Sequence, residues 1–215
     1  NASSTPATIS LTIEPDFAST PVAGPAGLAL AFDGKDDIVS IPLTDSLLAA
    51  ASAPSLTVEA RFRVTGVVGP AVATLVDSGA YFLGWNAAAG LSFRVEGFEV
   101  STFDSFDDSM WHHVVGVKNG EQRTLSLYVD GKLVAEKSLP TIHEMSPVAS
   151  GLTIGCTSAS EFVIESSCFA GEIDDVRVCM VALGALDAES HYEGTVTTNE
   201  CVVELLMNDG YSSAP

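Results

Sequence analysis

The segment SLTVEARFRV (residues 55–64) constrains the fold of this 215-residue chain more than any other feature of its sequence. Apolar and polar residues alternate along it, with Leu56, Val58, Ala60, Phe62 and Val64 separated by Thr57, Glu59, Arg61 and Arg63. Because successive side chains of a β-strand point to opposite faces, this alternation predicts a strand with one face in a core. Short segments of this kind recur between turn residues along the chain, which is typical of a two-sheet β-sandwich.

A hairpin and one helix complete the predicted secondary structure. Residues 124–139, TLSLYVDGKLVAEKSL, contain the dipeptide Asp130-Gly131 between two strand-like runs, and this dipeptide is favoured in hairpin turns. Residues 184–194, GALDAESHYEG, indicate a short helix that ends near Gly194. We therefore predict an all-β chain with one short helix.

The charge balance excludes several classes of partner. Nine Lys and Arg residues face 28 Asp and Glu residues, for a formal net charge of -19. Nucleic acid and anionic membrane surfaces need clustered cations, which this composition lacks. Membrane insertion is also not expected, because no apolar run approaches the ~18 residues that a spanning helix needs. The excess of carboxylates fits an extracellular or a calcium-rich setting, and the alternative is that it only maintains solubility.

The four cysteines indicate disulfides and an oxidising compartment. They are Cys156, Cys168, Cys179 and Cys201, and none lies in a Cys-x-x-Cys pair. Three pairings are open. We favour Cys156–Cys168, because the segment between them resembles a loop joining two strands, and Cys179–Cys201 would then tie the tail to the sandwich. The alternative is free buried thiols.

Six segments, in this order, carry a resemblance to a known family. They are LALAFDGKDDIVSIP, SLTVEARFRV, WHHVVGVKNG, LSLYVDGKLV, FAGEIDDVRV and ALGALDAES, between residues 27 and 193. The set resembles the laminin G-like branch of the concanavalin A-like lectin sandwich. The resemblance implies a jelly roll of two stacked antiparallel sheets, in a family whose members mostly bind glycans or proteins. The chain departs from the family pattern at two positions. Cys179 follows the last strand where members often have an aromatic residue, and Arg61 stands where the second long strand often has a Trp. Neither departure conflicts with the fold, but both would alter a binding surface.

The chain divides into three parts on this reading. Residues 1–26 are a lead-in with one strand, residues 27–194 form the laminin G-like sandwich domain, and residues 195–215 form a tail. The tail segment CVVELLMNDG resembles the opening strand of such domains. It therefore predicts either an extra strand or, as we slightly favour, the start of a following domain in a larger multidomain chain.

A catalytic role is not expected. Some sugar-cleaving enzymes on this sandwich use a Glu-x-Asp-x-x-Glu strand, which Glu172 and Asp174 begin. At the position of the proton donor, this chain has Val176 or Arg177, neither of which donates a proton at neutral pH. A retaining mechanism needs a second carboxyl group ~5 Å from the first. His112 and His113 are adjacent on a predicted strand and thus point to opposite faces.

The aspartates predict a calcium site. If the first and last strands of the jelly roll are neighbours, Asp33 and Asp37 approach Asp174, and such a cluster favours a hard cation. Members of the family often bind calcium through carboxylates and backbone carbonyls. The alternative is that Asp33 only forms the Asp-Gly turn and Asp174 only accepts backbone hydrogen bonds.

Sugar binding needs an exposed aromatic ring with polar groups around it. Trp85, near a strand end, is the first candidate ligand-binding residue, followed by Tyr81 and Tyr192; a buried Trp85 is the alternative. We therefore expect a non-catalytic carbohydrate-binding or adhesion module, possible partners being a glycan or an extracellular protein. We expect it at the cell surface or outside the cell, assisted by calcium and within a larger protein. The alternative is a structural or protein-binding domain without glycan affinity.

Overall fold

The computed structural model describes residues 12–13, 22–24, 27–66, 72–86, 90–95, 97–104, 106, 108–140, 151–157, 167–196 and 200–206. The strands in these residues are β1 (Thr12–Ile13), β2 (Val22–Gly24), β3 (Gly27–Asp33), β4 (Val39–Ile41), β5 (Leu56–Val64), β6 (Val72–Asp77), β7 (Tyr81–Asn86), β8 (Gly90–Val95), β9 (Phe98–Thr102), β10 (His112–Asn119), β11 (Thr124–Val129), β12 (Lys132–Ser138), β13 (Leu152–Ile154), β14 (Ala170–Cys179) and β15 (Cys201–Leu205). The helices are α1 (Asp45–Ser52) and α2 (Ala185–Tyr192). Within the described residues, no helix is both long and apolar enough to cross a membrane.

The strands form two antiparallel sheets. The seven-stranded sheet has the order β1-β4-β13-β6-β7-β8-β9, and the eight-stranded sheet has the order β12-β11-β10-β5-β14-β3-β2, with β15 paired to β14. The predicted all-β sandwich of jelly-roll type is thereby confirmed. The central strand β14 lies between β5 and β3 at its start and between β5 and β15 at its end. The neighbouring first and last strands expected of a jelly roll are thus β3 and β14.

The core lies between the two sheets, and the apolar residues that alternate along β5 point into it. Leu56, Val58, Ala60, Phe62 and Val64 are all buried and belong to one apolar cluster with residues of the facing sheet. The polar residues between them point to the outer face of the eight-stranded sheet, which α2 covers in part. A smaller apolar cluster joins Leu183 and Ala188 to outward residues of β10 and β11, and this cluster seats the helix.

The structure has one helix more than the sequence indicated. Helix α2 matches the predicted segment, whereas α1 was not predicted. Thr44 caps α1, since its Oγ1 accepts a hydrogen bond from the Leu47 N–H at 3.2 Å. The signal was present in the sequence, as a Thr-Asp start followed by alanines and leucines. Helix α1 connects β4 of one sheet to β5 of the other.

Both favoured disulfides are confirmed. Cys156 pairs with Cys168 and Cys179 with Cys201, and the described residues include no free cysteine. The second bond links β15 to the end of β14, where the two cysteines stand opposite each other. Closing segments of 12 and 22 residues stabilises the fold by about 3 kcal/mol each in the chain-entropy model. The part of the tail after Leu206 lies outside the described residues.

The strand registers define two ends of the sandwich. At the loop end lie the turn after Asp33, which pairs with Ala170, the start of β10 at His112, and the Asp130-Gly131 turn. At the opposite end, here called the hairpin end, lie the β6–β7 and β8–β9 turns.

Candidate functional site

An aromatic cluster fills the loop end between the two sheets. Phe62 is its centre, with ring centroids at 4.9 Å from Trp85, 6.4 Å from Phe169, 6.2 Å from Phe106 and 5.6 Å from His112. Trp85 stacks on Phe169 at 5.7 Å with an interplanar angle of 15°. Trp85 is half-buried and packs against the core, so one face of its indole ring is already covered. Only the remaining part of this ring is available to a ligand.

A second indole ring lies at the same end, on the outer face of the eight-stranded sheet. Trp111 is half-buried, and the Arg63 guanidinium lies 5.3 Å from the centroid of its ring. Arg63 also forms an ion pair with Glu172, which stands directly opposite it on β14. The Arg63 side chain is 30% exposed. We call these three residues the Trp111 patch.

The Trp111 patch combines three complementary chemical groups. The part of the indole ring that the Arg63 guanidinium leaves exposed can contact an apolar ring face, the carboxylate accepts hydrogen bonds and the guanidinium donates them. Sequence reasoning considered Glu172 only as a catalytic residue, and nothing local in the sequence identified its partner. The pairing depends on the register between β5 and β14, which joins residues 109 positions apart.

His112 links two loops at this end. Its Nδ1 lies 2.8 Å from an Asp130 carboxylate oxygen and its Nε2 lies 3.1 Å from an Asp108 carboxylate oxygen. A neutral imidazole has only one N–H, so both contacts are hydrogen bonds only when the ring is protonated. Burial alone would lower the pKa of His112, but the bonds to Asp130 and Asp108 offset it, and the pKa is raised. The remaining contacts of the ring are Phe62 and Phe106.

His112→Gln is expected to lower the free energy of unfolding by about 0.5–1 kcal/mol at pH 5.5, after discounting for the solvent around Asp108. The raised folded-state pKa means that the His112 contribution is full below about 6.5, the unfolded value, and is lost as the pH rises through the folded value. The gap between wild-type and variant should therefore narrow toward pH 8.5 in urea unfolding curves.

Comparing the two proteins at each pH cancels other titrations. His113 acts in the opposite direction, because burial lowers its pKa and its protonation destabilises the fold as the pH falls. A gap that stays constant from pH 5.5 to 8.5 would show that His112 does not link Asp108 and Asp130 as a charged group.

The predicted calcium residues do not all converge. The carboxylates of Asp33 and Asp37 come together with that of Asp36, with ligand atoms within 4.8 Å of one another. Asp174 is not in this group. Asp33 pairs with Ala170, and Asp174 lies four residues farther along β14, or about 13 Å at the rise of a strand.

Local contacts occupy much of this acidic group. Asp37 accepts a hydrogen bond from the Asp33 N–H at 2.7 Å, and Asp33 accepts one from the Lys35 N–H at 2.8 Å. The hydrogen bond from this N–H, together with the Lys35 ammonium at 3.1 Å, lowers the pKa of Asp33. The Cys156–Cys168 disulfide contacts the turn that follows Asp33, with the Cys168 Sγ 3.1 Å from the Lys35 carbonyl oxygen. A cation bound here would have to displace the Lys35 ammonium.

The two predicted tyrosines lie far apart. Tyr81 is at the hairpin end, buried, with the pKa of its hydroxyl raised by that burial. Tyr192 is partly exposed at the end of α2, packed beside Gly131 and therefore toward the loop end. The structure thus brings Trp85 and Tyr192 to one end of the sandwich and separates both from Tyr81.

Beneath α2 lies a buried ionic network made of Glu59, Arg61, His113, Asp175, Arg177 and His191. Glu59 is fully buried, and its carboxylate accepts a hydrogen bond from the Arg177 guanidinium at 3.0 Å. The same carboxylate lies 2.9 Å from His191 Nδ1 and 3.4 Å from His113 Nε2. Burial would raise the pKa of Glu59, but the two histidines hold it well below its usual value. Arg61 donates to the carbonyl oxygens of His191 and Tyr192, both at 2.7 Å. The network therefore ties α2 to the sheet.

Three solved structures that share this fold are longer than this chain. One is described as a putative carbohydrate binding protein from Bacteroides ovatus, with a TM-score of 0.70 and 16% identity over 87% of this chain and 53% of that one. The binding domain of Paraclostridial Mosquitocidal Protein 1 has a TM-score of 0.68 and 13% identity, over 86% and 47% of the two chains. A botulinum neurotoxin type C structure, whose description reports interaction with two ganglioside molecules, has a TM-score of 0.64 and 17% identity, over 89% and 47%. This chain thus spans about half the length of each.

The family comparison agrees with these structural relatives. No curated protein sequence matches this chain. Residues 33–188 match the laminin G family described as the concanavalin A-like lectin/glucanases superfamily. That match begins at Asp33 and ends within α2, so it includes the Trp111 patch, strands β4 to β14 of the two sheets, and every residue of the buried ionic network except His191. The chain therefore belongs to the laminin G-like family of the concanavalin A-like lectin/glucanases superfamily.

Proposed function

We propose that this chain is a non-catalytic carbohydrate-binding module that acts outside the cell, with a sugar seated on the Trp111 patch. The observation that carries the proposal is the grouping of Trp111, Arg63 and Glu172 on one outer face of the loop end. Membership of a lectin-like family and the carbohydrate-binding description of one structural relative support it. The two disulfides support an extracellular location.

The chemistry of the patch matches that of a sugar ring. The apolar face of a pyranose stacks on an aromatic ring, and its hydroxyl groups both donate and accept hydrogen bonds. Glu172 offers acceptor oxygens and Arg63 offers N–H donors. Their ion pair fixes both side chains before a ligand arrives, which reduces the entropy lost on binding. The paired charges also suit a neutral sugar better than an ionic one.

The same ion pair supports a non-catalytic role. A retaining glycosidase needs one carboxylate free to attack and a second carboxyl group free to donate a proton. Here Glu172 is bound to Arg63, and Arg177, in the position expected for the proton donor, is bound to Glu59. We therefore assign the acidic residues of β14 to structure and ligand contact.

We also propose that a calcium ion assists sugar binding. The carboxylates of Asp33, Asp36 and Asp37 form a group of hard oxygen ligands at the loop end. In this role the metal stabilises the turn that is packed on Ala170, beside Phe169 and the aromatic cluster. We further propose that the module belongs to a larger surface or secreted protein, as its structural relatives are parts of longer chains.

The proposal is tested by a glycan-array screen of the domain, in calcium and again with a chelator. We expect binding to at least one glycan, and a Kd about fivefold weaker in Trp111→Ala, because stacking on an indole contributes about 1 kcal/mol and each 1.4 kcal/mol corresponds to a factor of ten. Leu186→Ala, at an exposed apolar residue of α2, is the matched control and should bind as wild-type. Tyr192→Ala and Trp85→Phe test two of the three candidates from the sequence, the two that lie at the loop end. Loss of binding in the chelator supports the calcium role.

A protein-binding role is the second candidate, and one observation favours it. Phe103 and Met110 are 77% and 63% exposed, and both belong to the loop between β9 and β10. Large apolar side chains that are exposed to solvent often belong to protein contact surfaces. An array without any bound glycan in either buffer would contradict the carbohydrate proposal and favour this one.

A further inference from the structure

The hairpin end contains a polar cavity that the loop-end residues do not reach. Its volume is about 120 Å³, and it is lined by Asp77, Gly79, Tyr81, Phe82, Arg94 and Gly97, among others. Asp77 ends β6, and Gly79 follows in the β6–β7 turn. Gly97 belongs to the β8–β9 turn. The cavity is therefore built by two neighbouring hairpins of the seven-stranded sheet.

The strand register aligns two charged residues and one aromatic residue beside this cavity. Asp77 pairs with Phe82, and Phe82 pairs with Arg94, so the three residues stand opposite one another on three adjacent strands. Tyr81 and Leu83 point into the core, so Phe82 and its partners lie on the outer face. The Arg94 guanidinium lies 4.9 Å from the centroid of the Phe82 ring.

The two charged groups share the cavity without forming an ion pair. Asp77 accepts a hydrogen bond from the Gly79 N–H at 2.8 Å, and Arg94 is exposed with the Phe82 ring as its contact. Burial raises the pKa of Asp77, and the Gly79 N–H, the Arg94 charge and a hydrogen bond with the Thr157 side chain only partly offset this. Elsewhere on the sheets, Arg61, Arg63 and Arg177 are all ion-paired. The arrangement at Asp77 and Arg94 thus leaves room for an occupant between opposite charges.

Size and charge limit the class of that occupant. A volume of 120 Å³ corresponds to about four water molecules at ~30 Å³ each, so the cavity accepts one edge of a sugar ring with its hydroxyl groups, while the rest of the ring stays outside. A neutral molecule with adjacent hydroxyl groups can donate a hydrogen bond to Asp77 and accept one from Arg94 at the same time. The glycines at positions 79 and 97 have no side chains, so they do not narrow the opening of the cavity. A left-handed φ of 77° and 81° at these positions favours glycine.

We propose that this cavity is a second sugar subsite, which binds a single neutral monosaccharide unit through Asp77 and Arg94. The proposal rests on the carbohydrate-binding function proposed above and adds a site at the opposite end of the sandwich. A glycan with two separate sugar units, or two glycans on a surface, would then contact one module at both ends. Such divalent contact raises the overall affinity without any new contact at either site.

The test is a titration of the isotope-labelled domain with neutral methyl glycosides, followed by amide NMR shifts. We expect saturable shifts at the Gly79 and Gly97 amides, and a Kd at least tenfold weaker in Arg94→Gln and in Asp77→Asn. Arg123→Gln, at an exposed arginine that does not line the cavity, is the control and should titrate as wild-type. Trp111→Ala should leave the Gly79 and Gly97 shifts unchanged. Because Arg94 is exposed, its variant should keep the thermal unfolding midpoint, and this measurement verifies its fold.

Other outcomes would overturn the inference, and they separate it from the proposed function. If the glycan array shows binding but the Gly79 and Gly97 amides do not shift, the subsite is refuted while the lectin function stands. If glycine, a zwitterion, shifts these amides and the glycosides do not, the cavity is an amino-acid site. If no sugar shifts any amide and the array is also blank, both proposals fail. Equal affinities for wild-type and Arg94→Gln would exclude the assigned contacts.

Discussion

Glu59→Ala should destabilise the protein by about 3–5 kcal/mol, the typical cost of removing one partner from a buried ion pair. Its carboxylate is fully buried and is shared by the Arg177 guanidinium and the imidazoles of His113 and His191. Without it, the buried Arg177 guanidinium keeps only the longer contacts with Asp175 and Glu204, both at 3.8 Å, and α2 loses its contact through His191. Urea unfolding at pH 7 measures the loss.

Two further variants make the Glu59 result specific. Glu59→Gln retains hydrogen-bonding capacity but removes the charge, so it should lose less stability than the alanine variant. Glu121→Ala, at an exposed position in the β10–β11 turn, is the matched control and should stay within about 0.5 kcal/mol of wild-type. A loss below about 1 kcal/mol in Glu59→Ala would contradict a structural role for the network.

Phe62→Ala should also destabilise the protein by about 3–5 kcal/mol, through the lost transfer free energy and the cavity left behind. Phe62 is fully buried and contacts Trp85, Phe106, His112 and Phe169. Those rings come from separate strands and loops, and they cannot all move in to fill the space. Trp85 should become more mobile, which tryptophan fluorescence detects as a red shift.

The same substitution at an exposed ring is the control for Phe62. Phe103 is 77% exposed, so Phe103→Ala should change the free energy of unfolding by less than about 0.5 kcal/mol. If the two alanine variants unfold at similar urea concentrations, the aromatic cluster does not hold the loop end together. A stable Phe62→Ala variant with reduced glycan affinity would assign the cluster to positioning the binding surface.

The two variants examine different supports of the candidate site. The buried ionic network holds α2 and Tyr192 on the outer face of the eight-stranded sheet. The aromatic cluster holds the interior of the loop end. The Trp111 patch lies next to both, since Arg63 follows Arg61 on the outer face of β5 and His112 follows Trp111 in sequence. A substitution that disrupts the ionic network or the aromatic cluster is therefore expected to weaken sugar binding at the Trp111 patch as well.

Local sequence patterns predicted much of the fold. The alternation in β5 correctly assigned all five of its apolar residues to the core. The Asp130-Gly131 dipeptide forms the hairpin turn, with left-handed φ of 49° and 74° at the two residues. The segment that starts at Gly184 is helical, as its pattern indicated. These features depend on residues close together in sequence, and so a local pattern can reveal them.

The candidate site was less predictable, because its partners are distant in sequence. Asp33 and Asp174 were correctly placed on neighbouring strands, yet the register puts Asp174 four residues beyond the pair that Asp33 forms with Ala170. Trp85 could be identified as a strand-end aromatic, but its stacking on Phe169 depends on how the two sheets face each other.

By itself, the sequence determined the fold class, the faces of the strands, the main hairpin and the favoured disulfide pairs. Only the tertiary structure decided which side chains meet, such as Arg63 with Glu172 and Trp111, or Asp77 with Arg94 across a cavity. The physical reason is the period of the β-strand. An alternation of two residues reports which face a side chain takes, whereas strand order, register and bulges set its neighbours, and these are fixed only when the whole sandwich packs.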